Sequence, residues 1–224
     1  MLRSEHIAVT LLSTGLTIKK YAAEIAEQVQ ELIVSLDGDE TLHDTIRNIP
    51  GAFRKMSEGI AAIKQLRPGF PVSGRCVIHK QNFRKWHSIV DTARQIGLDS
   101  ISFLPADISS HAFNREVLWT EPRQNEITIS RDELPELEET IESLIATYTK
   151  DFDNRFILES PGKIRNIYFY YAAQYGLNDF PYKKCNAPWV SAVIEPDGAV
   201  RPCFFHDVIG NIHQHFLLFR KFHH

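Results

Sequence analysis

Four apolar, strand-like runs alternate with segments of helical periodicity through the first half of this 224-residue chain, and that order constrains the fold more than any other feature. Residues 6–12, 31–36, 72–78 and 99–104 read as strands. Ile18, Tyr21, Ala22, Ile25 and Val29 mark one helix face, and Phe53, Met56, Ile60 and Ile63 a second. Phe83, Trp86, Ile89, Val90, Ala93 and Ile96 line a third helix, closed by Gly97. Strand–helix units joined by short connections fold as a parallel sheet with right-handed crossovers. Such sheets place their working residues in the loops after the strand C-termini. Here these are Ser13-Thr14-Gly15, Asp37-Gly38, His79-Lys80-Gln81-Asn82 and Pro105-Ala106-Asp107.

Beyond Pro105 the pattern changes. Residues 106–130 read as an irregular excursion containing Trp119 and Pro122. An acidic helix follows, with Leu134, Leu137, Ile141, Leu144 and Ile145 on one face. Pro135 fits only its first turn, which points to Asp132 as the cap. Ser160-Pro161 opens another helix, with Gly176 past its end. Its aromatic residues Tyr168, Phe169, Tyr170, Tyr171 and Tyr175 read as a packing surface. Cys185 and Cys203 then bracket two short apolar runs joined by Pro196-Asp197-Gly198, a tight-turn signal that folds the segment into a hairpin. Two thiols at the open end of a hairpin suit a shared metal site or a disulfide, and chance placement is the alternative. An amphipathic, His-rich tail ends the chain. There are no internal repeats and no low-complexity tract.

A formal net charge of -3 supplies no field for a polyanion, so nucleic acid is not an expected partner. The 43% hydrophobic content is ample for a packed core. The apolar stretch over residues 7–16 is too short to cross a bilayer and lacks a cleavage signal, so no membrane association is expected. Three cysteines, an odd number, argue against a disulfide framework and for a reducing, cytoplasmic setting.

The run Val34-Ser35-Leu36-Asp37-Gly38, with His43-Asp44, Ile46-Arg47 and Gly51-Ala52-Phe53 after it, resembles the fourth strand and following loop of a radical S-adenosylmethionine barrel. Thr14-Gly15 stands where that family has a Thr-Asn-Gly turn. Residues 77–82 resemble the end of the fifth strand, and residues 101–105 the sixth. The pattern Cys-x12-Gly-x4-Cys from Cys185 to Cys203 is similar to the opening of the SPASM or twitch extension, which holds auxiliary iron–sulfur clusters. Ile209-Gly210-Asn211-Ile212 is similar to the segment that follows its second cysteine.

The resemblance implies an α/β fold: a partial (β/α)6 barrel of strands three to six over residues 1–109, a helical connection over 110–180, and a partial SPASM/twitch hairpin and helix over 181–224. It implies S-adenosylmethionine as cofactor, with Ser35 on the ribose and Arg47 on the methionine carboxylate. A strand-end hydroxyl suits a sugar, and a guanidinium fork suits a carboxylate. Asp37, Thr14 and Gly15 line the same site, Asp37 reading first as a turn cap, and backbone near Leu104 lines the adenine pocket. Cys185 and Cys203 become two ligands of an auxiliary 4Fe-4S cluster, an incomplete set because such clusters take four thiolates. Cys76, inside a strand, reads as a small buried hydrophobe.

Two departures matter. The Cys-x3-Cys-x2-Cys loop on which the family's radical chemistry depends has no counterpart here, nor has the Gly-Gly-Glu turn, and the later SPASM cysteines are missing. The resemblance therefore implies an oxidoreductase cut at both ends and inactive alone, with a peptide or protein substrate in its intact form. A second reading is a catalytically dead binding or scaffold module with an exposed strand edge, completed by a missing barrel portion or by oligomerisation. A third is a zinc module built from Cys185, Cys203 and His206, with His213 and His215 as further candidate ligands and His223-His224 as a solvated tail.

Overall fold

A computed structural model of the chain describes residues 5–108, 110, 117–181 and 185–214. Its first half runs β1 (Thr10–Ser13), α1 (Ala22–Gln28), β2 (Glu31–Ser35), α2 (Glu40–Arg47), α3 (Ala52–Leu66), β3 (Val72–Ile78), a 3-10 turn (Phe83–Lys85), α4 (Trp86–Gln95) and β4 (Ser100–Pro105). All adjacent strands pair in parallel, in the order β1-β2-β3-β4. The expected strand–helix sheet is therefore present. β3 has the bounds read from the sequence, whereas β1 begins four residues later than expected, at Thr10 rather than residue 6.

The helices that follow are α5 (Glu121–Ile127), a 3-10 turn (Arg131–Glu133), α6 (Leu134–Thr147), α7 (Thr149–Asp153) and α8 (Pro161–Gln174). Two expectations need correction here. The stretch over 106–130 is not wholly irregular, since α5 forms within it, with Glu121 in its first turn where the helix dipole favours an acid. The cap before α6 is Ser130, not Asp132. Ser130 and Glu133 exchange side-chain-to-backbone hydrogen bonds in a capping box, which places Pro135 in the first turn of α6. Ser160 caps α8 as expected, and Gly176 turns the chain beyond it at φ +67°.

The two faces of the sheet differ. Leu32 and Val34 of β2, Val72, Gly74, Cys76 and Ile78 of β3, and Ile101 and Phe103 of β4 point to one side and are fully or almost fully buried. They join Met56, Ile60 and Ile63 of α3 and Trp86, Ile89 and Val90 of α4 in one apolar core. The alternate residues, Ile33, Ser35, Arg75, Val77, Ser102 and Leu104, are only partly buried or exposed. Parallel sheets are ordinarily covered on both faces. This one alternates, with the polar Ser35, Arg75 and Ser102 among the residues of its open side.

The β4 edge of the sheet is covered. Ile101 N–H donates to the Phe156 carbonyl (2.7 Å), Leu158 N–H to the Ile101 carbonyl (3.0 Å), and Phe103 N–H to Glu159 Oε2 (3.0 Å). At the other edge β1 pairs with β2, and among the described residues it has no second neighbour.

The chain divides into two compact units, one of Met1–Ala106 with Asn125–Phe180, the other of Asp107–Gln124 with Pro181–His224. In the second, α9 (Ala187–Val190) precedes the antiparallel strands β5 (Val193–Ile194), β6 (Ala199–Arg201) and β7 (Gly210–Asn211). The hairpin expected between the cysteines is β5–β6. Gly198 closes its turn at φ +84°, where a Cβ would meet His213 Cδ2 at 2.4 Å.

Candidate functional site

The loops after the strands converge on a buried polar network at the C-terminal end of the sheet. Asp37, two residues past β2, is 3% exposed. Arg47, the last residue of α2, donates to it through Nε (2.5 Å) and Nη2 (3.0 Å). His43, one turn earlier and fully buried, sets Nδ1 3.1 Å from Asp37 Oδ2 and 3.2 Å from the Asp37 N–H. Burial opposes ionisation of Asp37, but the bonds from His43 and Arg47 and their charges outweigh it and hold the carboxyl below its ordinary range. The network exists because Asp39 caps α2 by accepting from the Leu42 N–H (3.0 Å), which brings His43 and Arg47 back over the strand end. Sequence reasoning read this segment as a loop motif, without the helix.

Asn82 binds the ends of β2 and β3 together. Its Nδ2 donates to the Asp37 carbonyl (3.2 Å) and the Val77 carbonyl (3.0 Å), and its Oδ1 accepts from the His79 N–H (2.9 Å). Burial pushes the His79 imidazole down, against the pull of the Asp37 charge. Cys76 is buried in β3, and burial raises its thiol well above the ordinary value. That fits the small-hydrophobe reading. Tyr171 of α8 ties β3 to β4: its hydroxyl donates to the Ile78 carbonyl (2.5 Å) and accepts from the Ala106 N–H (3.0 Å).

The remaining candidates sit on or beside these strand ends. Ser35 ends β2 on the open face, half-buried. Thr14 is exposed after β1. Gly15 has φ +86°, and a Cβ there would lie 2.6 Å from Met56 Cβ, so a glycine is required by packing whatever else it does. Leu104, 37% exposed, lies on the open face of β4 beside Val77. Asp37 and Arg47 are thus in direct contact, and Ser35, the last residue of β2, stands two residues before Asp37 in the chain. One residue that sequence reasoning passed over stands out. Arg75, in the middle of β3, is exposed on the open face between Ser35 and Ser102. The alternation within Val-Ser-Gly-Arg-Cys-Val-Ile was the signal that could have found it.

In the second unit Cys185 is exposed, Cys203 is half-buried, and both thiols are free. Ser191 Oγ donates to the Pro202 carbonyl (3.1 Å), which ties the segment after Cys185 to the residue before Cys203. His206 and His213 are exposed, and His215, His223 and His224 lie outside the described residues. No three of His, Cys, Asp and Glu gather to hold a metal among the described residues. Two thiols do not fit a complete iron–sulfur cluster, which takes four. The Arg47 side fits a carboxylate better, because Nη1 makes no hydrogen bond among the described residues and the side chain is 30% exposed.

A family model, SPASM, an iron-sulfur cluster-binding domain, matches residues 185–218. No curated protein matches the chain by sequence. Among solved structures, anSMEcpe with bound AdoMet is similar at a TM-score of 0.59 and 17% identity over 94% of this chain and 56% of its own. SuiB of Streptococcus suis bound to S-adenosylmethionine is similar at 0.62 and 16%, over 96% of this chain and 48% of its own. SuiB bound to the precursor peptide SuiA is similar at 0.60 and 16% over the same shares. The chain thus spans about half the length of the structures it matches.

Fold and site define a class: a partial parallel α/β barrel with polar strand ends, followed by a small antiparallel module that carries the SPASM match. That order of parts is the fold shared with the solved structures of anSMEcpe and SuiB.

Proposed function

We propose that the chain supplies the cofactor-binding part of a radical S-adenosylmethionine/SPASM oxidoreductase acting on a peptide or protein. When bound, S-adenosylmethionine together with a reduced iron–sulfur cluster supplies a 5′-deoxyadenosyl radical that removes a hydrogen atom from substrate. The residues of this chain have the supporting tasks. The Ser35 hydroxyl would hydrogen-bond the ribose, and Arg47 Nη1 would meet the methionine carboxylate while Asp37 fixes the other side of the guanidinium. Thr14, Gly15 and the backbone at Leu104 would line the same end of the sheet. Cys185 and Cys203 would furnish two thiolates of an auxiliary cluster, the others coming from elsewhere.

The observation that carries this reading is the placement of Ser35, Asp37 and Arg47 at one strand end, in a chain whose residues 185–218 match SPASM. The three cysteines, Cys76, Cys185 and Cys203, do not form a Cys-x3-Cys-x2-Cys loop, so the chain on its own is expected to bind the cofactor without cleaving it. Anaerobic equilibrium dialysis against S-adenosylmethionine, with assay for 5′-deoxyadenosine, tests both halves. Binding without cleavage is expected. Formation of 5′-deoxyadenosine by this chain alone would overturn the second half, and failure to bind would overturn the first.

A second reading, a binding or scaffold module completed by a partner, draws on the β1 edge. Leu12 of β1 is 56% exposed, and an edge strand that presents apolar side chains and unpaired backbone groups invites pairing. A monomer by light scattering, with S-adenosylmethionine bound, would count against it. No helix among the described residues is long and apolar enough to cross a membrane.

A further inference from the structure

The open face of the sheet carries a row of three polar residues at one level. Ser35 of β2 is paired in register with Arg75 of β3, and Arg75 with Ser102 of β4. Neighbouring strands lie about 4.8 Å apart, so the two hydroxyl-bearing positions flank the arginine at that spacing on either side. Arg75 sits in a strand paired on both sides, where a charged side chain is ordinarily excluded unless it has a partner. It is nevertheless exposed, and among the described residues it makes neither a hydrogen bond nor an ion pair. Glu159, whose carboxyl feels the Arg75 charge, accepts from the Phe103 N–H (3.0 Å) and forms no ion pair with Arg75. By contrast Arg47, the other arginine at this end of the sheet, already spends two of its nitrogens on Asp37.

A guanidinium that makes no hydrogen bond or ion pair among the described residues, on the open face of the sheet, matches a planar carboxylate in shape and charge, while the Ser102 hydroxyl beside it donates to the Gly74 carbonyl (3.3 Å). We propose that Arg75 is the receptor for a substrate carboxylate, an acidic group of a peptide lying against the open face. The proposal rests on the cofactor-binding reading for one point. If Ser35 meets the ribose, a carboxylate on Arg75 is held one strand away from the atoms that react, and Arg75 selects acidic substrates at that place.

The test is a titration of the full chain, labelled with 15N at arginine side chains, with a blocked tripeptide carrying a central glutamate. Its glutamine counterpart and S-adenosylmethionine alone are titrated separately. The Arg75 Nε–H resonance is expected to move with the glutamate peptide. Replacing glutamate by glutamine, or Arg75→Gln, should weaken binding about tenfold, the scale of one charge-assisted hydrogen-bond pair. Because Arg75 is exposed and makes no hydrogen bond or ion pair among the described residues, its variant should unfold at the wild-type urea midpoint, which separates loss of binding from loss of fold. No movement of Arg75 with the peptide overturns the proposal. So does movement with S-adenosylmethionine alone, accompanied by loss of cofactor affinity in Arg75→Gln, since the carboxylate would then be the cofactor's. Peptide binding at Arg75 in a chain that does not bind S-adenosylmethionine would support the receptor and defeat the cofactor reading instead.

Discussion

Arg47 holds Asp37 side-on, Nε at 2.5 Å from one carboxylate oxygen and Nη2 at 3.0 Å from the other, and thereby pins the last turn of α2 to the end of β2. Asp37 is almost fully buried and Arg47 is not. Removing the arginine is therefore worse than removing the acid. Arg47→Ala leaves a buried carboxylate facing only His43 and should cost about 3 kcal/mol. Asp37→Asn keeps the shape and some hydrogen bonding and should cost about 2 kcal/mol. Urea unfolding of the two variants checks the order, and a larger loss in Asp37→Asn would contradict it.

The pH dependence of the same pair has a definite direction. The folded state holds the Asp37 carboxyl below its ordinary value of 3.8. The unfolded chain therefore binds the proton first as pH falls, and the pair's contribution is complete above that value and fades as pH drops through the folded one. The stability gap between wild type and Asp37→Asn should be flat from pH 5 to pH 7 and close below about pH 4. A gap that already narrows between pH 7 and pH 5 would contradict this direction.

A second acid-sensitive point lies just before α6. Burial works against ionisation of Glu133, yet the Ser130 hydroxyl and N–H, Arg84 and Lys80 together bring its carboxyl down to about 2. Its contribution is present above 4.5 and lost as pH falls toward 2, the same direction as for Asp37. The ion pairs to Arg84 and Lys80 are partly solvated, so Glu133→Gln should cost only about 1 kcal/mol at pH 7 and clearly less at pH 2. Ser130→Ala should cost about 1 kcal/mol at pH 7. Asp132→Ala should be silent in the same unfolding experiment, because Asp132 does not cap the helix.

How much of this was legible in the sequence depends on which physical signal each residue carried. β3 was legible to the residue because the buried Val72, Gly74, Cys76 and Ile78 alternate with Ser73, Arg75 and Val77 between two turn signals. α2 was not, because only His43 of its residues is buried, and a helix with so narrow a buried face leaves no apolar period to read. Ser130 and Asp132 are both good capping residues, and the choice between them turns on a reciprocal bond from Glu133 that spacing alone left open. Arg47 and Asp37 were each singled out, but their contact spans ten residues and depends on α2 having formed. Arg75 was overlooked because a parallel sheet is expected to be covered on both faces, and only the fold reveals that one is open.

Tyr171 offers a test of how the end of the sheet is held. Its buried hydroxyl serves the Ile78 carbonyl and the Ala106 N–H at once, so one oxygen joins the ends of β3 and β4 to α8. Tyr171→Phe removes no apolar contact but leaves a buried carbonyl and a buried N–H without partners. That should cost about 2 to 3 kcal/mol. Amide hydrogen exchange at Ala106 should quicken in the variant while exchange in β2 keeps its protection relative to global unfolding. Uniform change across the sheet would show that the hydroxyl acts through overall stability and not as a local clasp.

The two free thiols of the SPASM segment set a limit on metal loading. Cys185 and Cys203 provide half the thiolates that a cluster takes, and the third cysteine, Cys76, is buried in the first unit with its thiol held protonated by burial. Anaerobic reconstitution of the chain with iron and sulfide should therefore give less than one cluster per chain, released readily by a chelator. Cys185→Ser and Cys203→Ser should each abolish what binds, because one remaining thiolate cannot hold a cluster. Cys76→Ser should leave the iron content unchanged. Iron that survives in either of the first two variants but falls in Cys76→Ser would place the metal in the sheet and remove the assignment of Cys185 and Cys203. Zinc retained in preference to iron under the same conditions would favour a small zinc site over an auxiliary cluster.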